Sequence, residues 1–467
     1  MGRLVTYDSV VQEKLNSIIK QKNVQSGLII GQCTDQKDIV IRLCPTPQKD
    51  DSSEPKNDDQ NQKEAKNKSS KDTIELDEQW ICQHAKQLMR ALPGGLNILG
   101  LYIAAPTDYN IKQQALQRQI LFAIFKTLSK SEKLNYFCSK ERVLLNICTV
   151  TSKIVCRTFD VNDYKSSANP AEWKLQSGNL RWQQVKCQLA VDIKFPIKKE
   201  SGSLSLQKQI EIGLDPFFKS IQDAYTLLNG LQRDSSELLD TSGENKKSKK
   251  KQSSDRDKFP SECHNIELFI PLENNDSINP EVIDCVCMMI CKGAVQCRAY
   301  VHGKATVADA INALKQDIIR SITARCEIHC EDLLLIEEEQ KSMLIFMYHL
   351  ILDPLVVHEL PRRVFACLPQ SDVCVCDYQF HSDTASDSLD AFKELLDLEL
   401  AEQDIDMSCE ISPTTSTLIL PEVMEDRLSE FGDTPSHSPM NLYVPIAGVV
   451  ATIAVGVASY MIGFNNS

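Results

Sequence analysis

An α+β body, an acidic disordered spacer and a single C-terminal transmembrane helix make up the fold class this sequence predicts, on three observations. Helical and strand-like hydrophobic periods alternate through residues 1–232 and again through 260–380. Between Ser371 and Met440, seventeen Asp and Glu stand against two Lys and Arg, so nearly all of the net charge of −13 falls in one stretch. The run Tyr443–Phe464 then passes twenty-two positions without a charge.

About 20 apolar residues cross a bilayer core as a helix. Gly448 and Gly456 suit a membrane helix, where no water competes for the backbone hydrogen bonds. Tyr443 and Tyr460 fall near the two interfaces, Pro445 lies in the first turn, where a missing N–H costs little, and Phe464 closes the run. Only Asn465, Asn466 and Ser467 follow, so insertion would come after translation. The expectation is a tail anchor at 443–464 with the bulk of the chain cytosolic. The alternatives are a buried C-terminal helix, or a glycolipid-anchor signal, which would require a secretory leader that the N-terminus does not show.

Eighteen cysteines without a leader point to a reducing compartment and free thiols. The triplets starting at Asn67 and Asn275 would then carry no glycan. The acidic stretch repels anionic lipid and reads as a spacer that holds the body off the membrane. No face-wide basic surface is present for nucleic acid.

The first block, an α/β domain at 1–232, opens with a helix capped by Asp8 or Ser9, whose apolar stripe is Val11, Leu15, Ile18 and Ile19. Strands are expected at Ser26–Gly31 and Ile39–Leu43, around the polar turn Thr34–Lys37. Residues 45–72 hold no large apolar side chain and read as a disordered insertion. Ile81, Ala85, Leu88 and Leu92 mark a second helix, stopped by Pro93-Gly94-Gly95. Leu96–Ala105 has the continuous apolar character of a doubly covered central strand. A helix follows at Ile111–Leu128, then strands from Arg142, at Lys153–Phe159 and at Val185–Ile193, and helix through 204–231. Residues 233–259, with a lysine run, read as a low-complexity linker. The second block, an α+β domain at 260–380, carries strands at His264–Ile270 and Ile283–Ala299 and a helix at Val307–Arg325 with Ala310, Leu314, Ile318 and Ile322 on one face. The spacer occupies 381–440, with Asp387–Leu400 as a transient amphipathic helix within it.

Motifs for chemistry are few. No C-x-x-C exists; Cys285, Cys287, Met289 and Cys291 alternate with period two, as core residues on one face of a strand do. Cys326 and Cys330 flank His329 at helical spacing but lack partners for a metal site. The sequence contains no H-x-H, H-E-x-x-H, phosphate-binding glycine loop or G-x-S-x-G, and no cofactor is expected.

The segment Gly100-Leu101-Tyr102-Ile103-Ala104-Ala105-Pro106 resembles the strand-to-loop signature G-W-Y-H-S-H-P of MPN-type metalloproteases. The resemblance places the two metal histidines at Ile103 and Ala105 and the downstream serine and acid at Gln113 and Leu116. None of these can hold zinc or activate its water, which implies a metal-less MPN-like domain acting as a scaffold. Over the chain as a whole, Ser26–Cys33, Gln36-Lys37-Asp38, Leu92–Leu96, Leu99-Gly100, Leu360–Phe365 and the tail anchor resemble the odorant-response-abnormal protein four homologues. That resemblance implies an endoplasmic-reticulum membrane protein that supports trafficking of seven-helix receptors. It also implies a complex with the cysteine protease of the ubiquitin-fold-modifier pathway, itself MPN-like in its N-terminal part. The leading expectation is therefore a non-enzymatic membrane adaptor; the others are a thiol hydrolase using one of its own cysteines and a direct receptor chaperone. The sequence does not identify the surface that meets the partner; Leu96–Pro106 and the second domain are the candidates.

Overall fold

The computed structural model describes residues 2–49, 76–130, 139–176, 181–201, 203–240, 263–271, 284–340 and 360–410. The expected tail anchor at 443–464, most of the insertion and linker, and the spacer beyond 410 lie outside the described residues. No helix among the described residues is long and apolar enough to cross a membrane.

Helix α1 (Ser9–Gln21) starts where the Asp8 carboxylate accepts the Val11 N–H at 3.0 Å, and it buries Val11, Leu15 and Ile18. Strands β1 (Leu4–Tyr7), β2 (Gln25–Cys33) and β3 (Lys37–Pro45) flank it, and β2 and β3 pair antiparallel as the turn at Thr34 requires. Helix α2 (Glu78–Ala91) is capped by Asp77 and leads into β4 (Asn97–Ala105), in which every residue is buried. Strand β4 runs antiparallel to β2 and parallel to β5 (Glu141–Cys148), the central position its apolar run predicts. The expected single helix at Ile111–Leu128 is broken at Gln113 into α3 (Thr107–Lys112) and α4 (Gln114–Lys130). With β6 (Ile154–Asp160), β7 (Asn169–Pro170) and β8 (Glu172–Leu175), the sheet has the order β7-β6-β5-β4-β2-β3-β1-β8.

The division expected at the 233–259 linker does not coincide with the division of the sheets. Strand β9 (Trp182–Lys198), assigned by sequence to the first block, pairs antiparallel over its whole length with β12 (Cys285–His302). Strand β11 (Cys263–Phe269) lies parallel to β9 on its other side, with β10 (Tyr225–Leu228) at the edge. The physical reason is the alternation in β9: Val185, Cys187, Leu189, Val191, Phe195 and Ile197 point inward and need the cover of α5 (Leu206–Asp223) and α6 (Val307–Gln340). The predicted helix at 204–231 ends at Asp223 and is followed by β10. Met289 and Cys291 pack against this core while Met288 and Ile290 face solvent, so the period-two reading of that segment holds where side chains are described.

Part of the stretch expected to be spacer, 381–410, is folded instead. Strands β13 (Arg362–Cys367) and β14 (Cys374–Gln379) form a hairpin that β15 (Ile405–Asp406) joins, with α7 (Ala385–Leu396) packed beside it. Phe392, Leu396 and Leu398 are buried, and the apolar stripe read as transient closes the first core from the C-terminal side. His84 Nε2 meets the Leu395 carbonyl at 2.9 Å, and Arg42 donates to the Leu396 carbonyl at 2.9 Å. On β14, Asp377 accepts the Ser388 hydroxyl of α7 at 2.6 Å, and burial pushes this carboxyl up to about 6. A carboxyl raised above its unfolded value of 3.8 favours the fold when protonated and loses that contribution as pH rises from about 4 through 6. Asp377→Asn should therefore match the parent near pH 4 and exceed it by about 2–3 kcal/mol above pH 7, read by urea unfolding at both values; equal stability at both would refute the assignment.

Buried charges join the sheets. Arg363, on β13, makes two bonds of 2.8 and 2.9 Å to Asp317 of α6, both residues being fully buried. The same carboxylate accepts the Gly94 and Arg298 backbone N–H groups at 2.8 and 2.9 Å. One turn on, Arg320 donates to the carbonyls of Leu92, Pro93 and Leu96 and to Asn97 Oδ1. Burial lowers its guanidinium to about 10. The Pro93-Gly94-Gly95 stop is thus a junction: Gly94 bridges to Ala299 of β12, and Gly95 sits at φ 81°. Farther along α6, Arg325 pairs with Glu410, which also accepts the Gln296 and Arg363 N–H groups.

Candidate functional site

The segment to test is the end of β4 and the start of α3 and α4. Ile103 and Ala105 are fully buried and belong to the core beneath α2 and α4. Leu116 packs partly against that core, and Gln113 sits in the turn between the helices, its N–H donating to the Tyr109 carbonyl at 3.0 Å. The four positions are therefore near one another in the fold, yet they present aliphatic carbon and one amide. Of the two candidate partner surfaces, Leu96–Pro106 offers little: β4 is buried throughout, and a strand covered on both faces and paired on both edges presents nothing to a second protein.

Three amides that sequence reasoning did not single out occupy this end of the sheet. Asn146 of β5 donates to Gln117 Oε1 at 2.9 Å, and Gln117 donates to Asn110 Oδ1 at 3.3 Å. Asn110 donates in turn to the Ala105 and Ile147 carbonyls at 3.2 and 3.4 Å. The chain of bonds ties α3 and α4 to the ends of β4 and β5. Gln117 is fully buried, so its amide must be paired, and here it is. An amide set neither binds zinc as a hydrolytic site does nor takes a proton from water. The available signal was Asn146, a lone polar residue inside the apolar run RVLLNICTV.

Other candidate groups are equally plain. Burial pushes the thiols of Cys44 and Cys156 up to about 12 and those of Cys187 and Cys330 up to about 11, which disfavours a nucleophilic thiolate at these positions. No cluster of His, Cys, Asp or Glu with metal-site geometry occurs among the described residues. A shallow groove of about 360 Å³ runs along α4 beside Glu78, Arg118, Gln119, Phe122, Lys126 and Tyr164. Its floor is a stack, with Phe122 and Tyr164 at 5.5 Å and Arg118 over Phe122 at 5.1 Å, and no acid–base pair converges on it.

Comparison with known proteins agrees with the whole-chain resemblance. The model of the "Odorant response abnormal 4-like" family matches residues 27–407. The protein odr-4 homolog of Homo sapiens is 34% identical over 479 residues, covering 98% of this chain and 99% of that protein. The homolog of Xenopus tropicalis is 32% identical over 473 residues, covering 99% of this chain and the whole of that protein. The odorant response abnormal protein 4 of Caenorhabditis elegans is 25% identical over 359 residues, 75% of this chain and 68% of that protein. Among solved structures, UfSP from C. elegans superposes with a TM-score of 0.40 at 8% identity, over 85% of this chain and 57% of that one. A match of the family model across most of the chain, with relatives a third identical end to end, means that this chain belongs to the odorant response abnormal 4-like family.

Proposed function

We propose that the chain is a non-enzymatic, membrane-anchored adaptor. Its folded body docks a ubiquitin-fold-modifier cysteine protease, and the Tyr443–Phe464 segment holds the pair at the endoplasmic-reticulum membrane, where it supports trafficking of seven-helix receptors. One observation carries the non-enzymatic half: where a metalloprotease of the resembled type would hold zinc, Ile103 and Ala105 are core residues and the neighbouring polar groups are amides paired with one another. Family membership supports the receptor-trafficking half. The adaptor acts by concentration: confining a soluble partner to a surface raises its effective concentration near membrane substrates without any new contact.

The test is affinity capture from detergent-solubilised membranes, comparing the full chain with one ending at Met440. Both forms should hold the protease in stoichiometric amount, and only the full chain should bring it to the membrane fraction. Absence of a stoichiometric partner from both would end the adaptor reading.

A further inference from the structure

Near the outer end of the β13–β14 hairpin two thiols face each other. Cys367 and Cys374 are direct register partners in the antiparallel pair. The next pair outward is hydrogen-bonded, Leu368 N–H to Val373 carbonyl at 2.8 Å, so the cysteines fall at the narrow, non-hydrogen-bonded position. Such a position brings Cα atoms to about 4.5 Å, inside the disulfide range of about 4.4–6.8 Å. Both thiols are free here; Cys367 is exposed and Cys374 lies beneath it, 5% exposed.

The surroundings make the two sulfurs unequal. Cys367 stands across from Cys374, the Tyr300 hydroxyl and Arg298 guanidinium of β12 act on the Cys374 thiol from beside it, and that thiol lies 4.0 Å from the Asp372 carbonyl. Tyr300 is itself set by a 3.0 Å bond from Gln184 of β9. Arg298 lies 4.0 Å over the Phe365 ring and also contacts Asp406 and Cys409. The Cys409 thiol, bonded to Asp406, is pushed up to about 12, whereas Cys374 is drawn down to about 7. The neighbouring Cys367 thiol is the main cause of the lowering at Cys374 and outweighs burial, with Tyr300 and Arg298 adding to it. The Cys374 sulfur and burial push the Cys367 thiol far up, with Asp372 adding a little.

We propose that Cys374 and Cys367 form a peroxide-reactive dithiol, with Cys374 as the sulfur that is oxidised and Cys367 as the thiol that resolves it. The Cys374 thiolate attacks one oxygen of hydrogen peroxide, the O–O bond breaks, and the departing hydroxide takes a proton to leave as water. The product is the Cys374 sulfenic acid. Cys367 then attacks that sulfur and the S–O bond breaks; the hydroxyl leaves as a second water with the Cys367 proton, and a cross-strand disulfide remains. Peroxide is the two-electron oxidant, and its small size suits a sulfur that is nearly covered. The disulfide would lock the hairpin end beside β12.

The experiment uses the reduced full chain in detergent, about one equivalent of hydrogen peroxide, an alkylating quench and peptide mass spectrometry. The expected result is a Cys367–Cys374 linked peptide while Cys44 and Cys156 remain reduced. At pH 7 a lowered thiol holds far more thiolate than an ordinary one, and this outweighs the lower intrinsic nucleophilicity of a more acidic thiol, so Cys374 should react several-fold faster than an ordinary thiol. Cys367→Ser, at an exposed position and with a hydroxyl still able to donate, should stop the linkage and leave Cys374 as the sulfenic acid at one equivalent, a gain of one oxygen, and a second equivalent of peroxide should carry it to the sulfinic acid, a gain of two. The proposal is overturned if Cys374 oxidises no faster than Cys44 and Cys156, or if the Cys367→Ser chain gains no oxygen at Cys374.

Discussion

Asp317→Ala should destabilise the folded body by roughly 3–5 kcal/mol, the usual consequence of removing one partner of a buried ion pair. The side chain is fully buried and accepts four bonds: two from the Arg363 guanidinium and one each from the Gly94 and Arg298 N–H groups. Alanine leaves a fully buried cation and two backbone donors without an acceptor, and no water can reach them. The signature lies in the comparison. Arg363→Met alone strands the carboxylate in the same way, but combining the two changes removes both charges, so the double variant should lose much less than the sum of the singles. Thermal unfolding of the four chains measures this; strict additivity would mean that the pair is not coupled.

The second large effect is expected at Gly94. A Cβ built there would lie 2.1 Å from the Ala313 carbonyl oxygen of α6, with Asp317 Cβ at 2.8 Å and Ala299 Cβ at 2.9 Å. The first of these atoms is helix backbone and cannot swing aside, so even alanine must push α6 from the loop and stretch the Gly94 N–H···Asp317 bond. A loss of about 3 kcal/mol is expected, the upper end of overpacking. Gly230 is the control: it has φ 76° and nothing within 4 Å of its notional Cβ, so Gly230→Ala should cost only the backbone strain of about 1 kcal/mol. Equal losses at the two sites in urea unfolding would show that close approach, and not backbone conformation, had been misjudged.

These two sites mark the limit of what the sequence made legible. The periods that place β2, β3, β4 and α2 are local, and each segment's burial follows from its own residues. Pairing is not local. The inward alternation of β9 identifies it as a strand but cannot say that its partner lies about a hundred residues on, so the boundary between blocks was drawn at the linker. Asp317 and Arg320 occur in a helix whose apolar stripe was correctly read; that they face inward too is decided by Arg363 and by the Leu92–Asn97 loop, which meet α6 only in the fold. Helix α7 carries a legible Leu389, Phe392 and Leu396 stripe, but its own residues do not say that the stripe is covered, because the cover comes from the first core, far away in sequence. At the candidate site the four replaced positions could be read from spacing, whereas the paired amides could not, because Gln117 and Asn110 look like surface residues until Asn146 is brought beside them.

The late closure of the first core has a consequence for biosynthesis. Its buried members run from Leu28 to Ile405, with Phe365, Phe392, Leu396 and Leu398 supplying part of the cover over α2. A nascent chain grows at about 5–20 residues per second, so roughly 15–60 s separate the completion of α2 at Ala91 from the synthesis of the last core residue, Ile405. Over that interval the apolar flank of α2 stands open on the ribosome. Holdase chaperones should therefore occupy nascent chains of this protein until just after α7 emerges, and dissociate as the body seals.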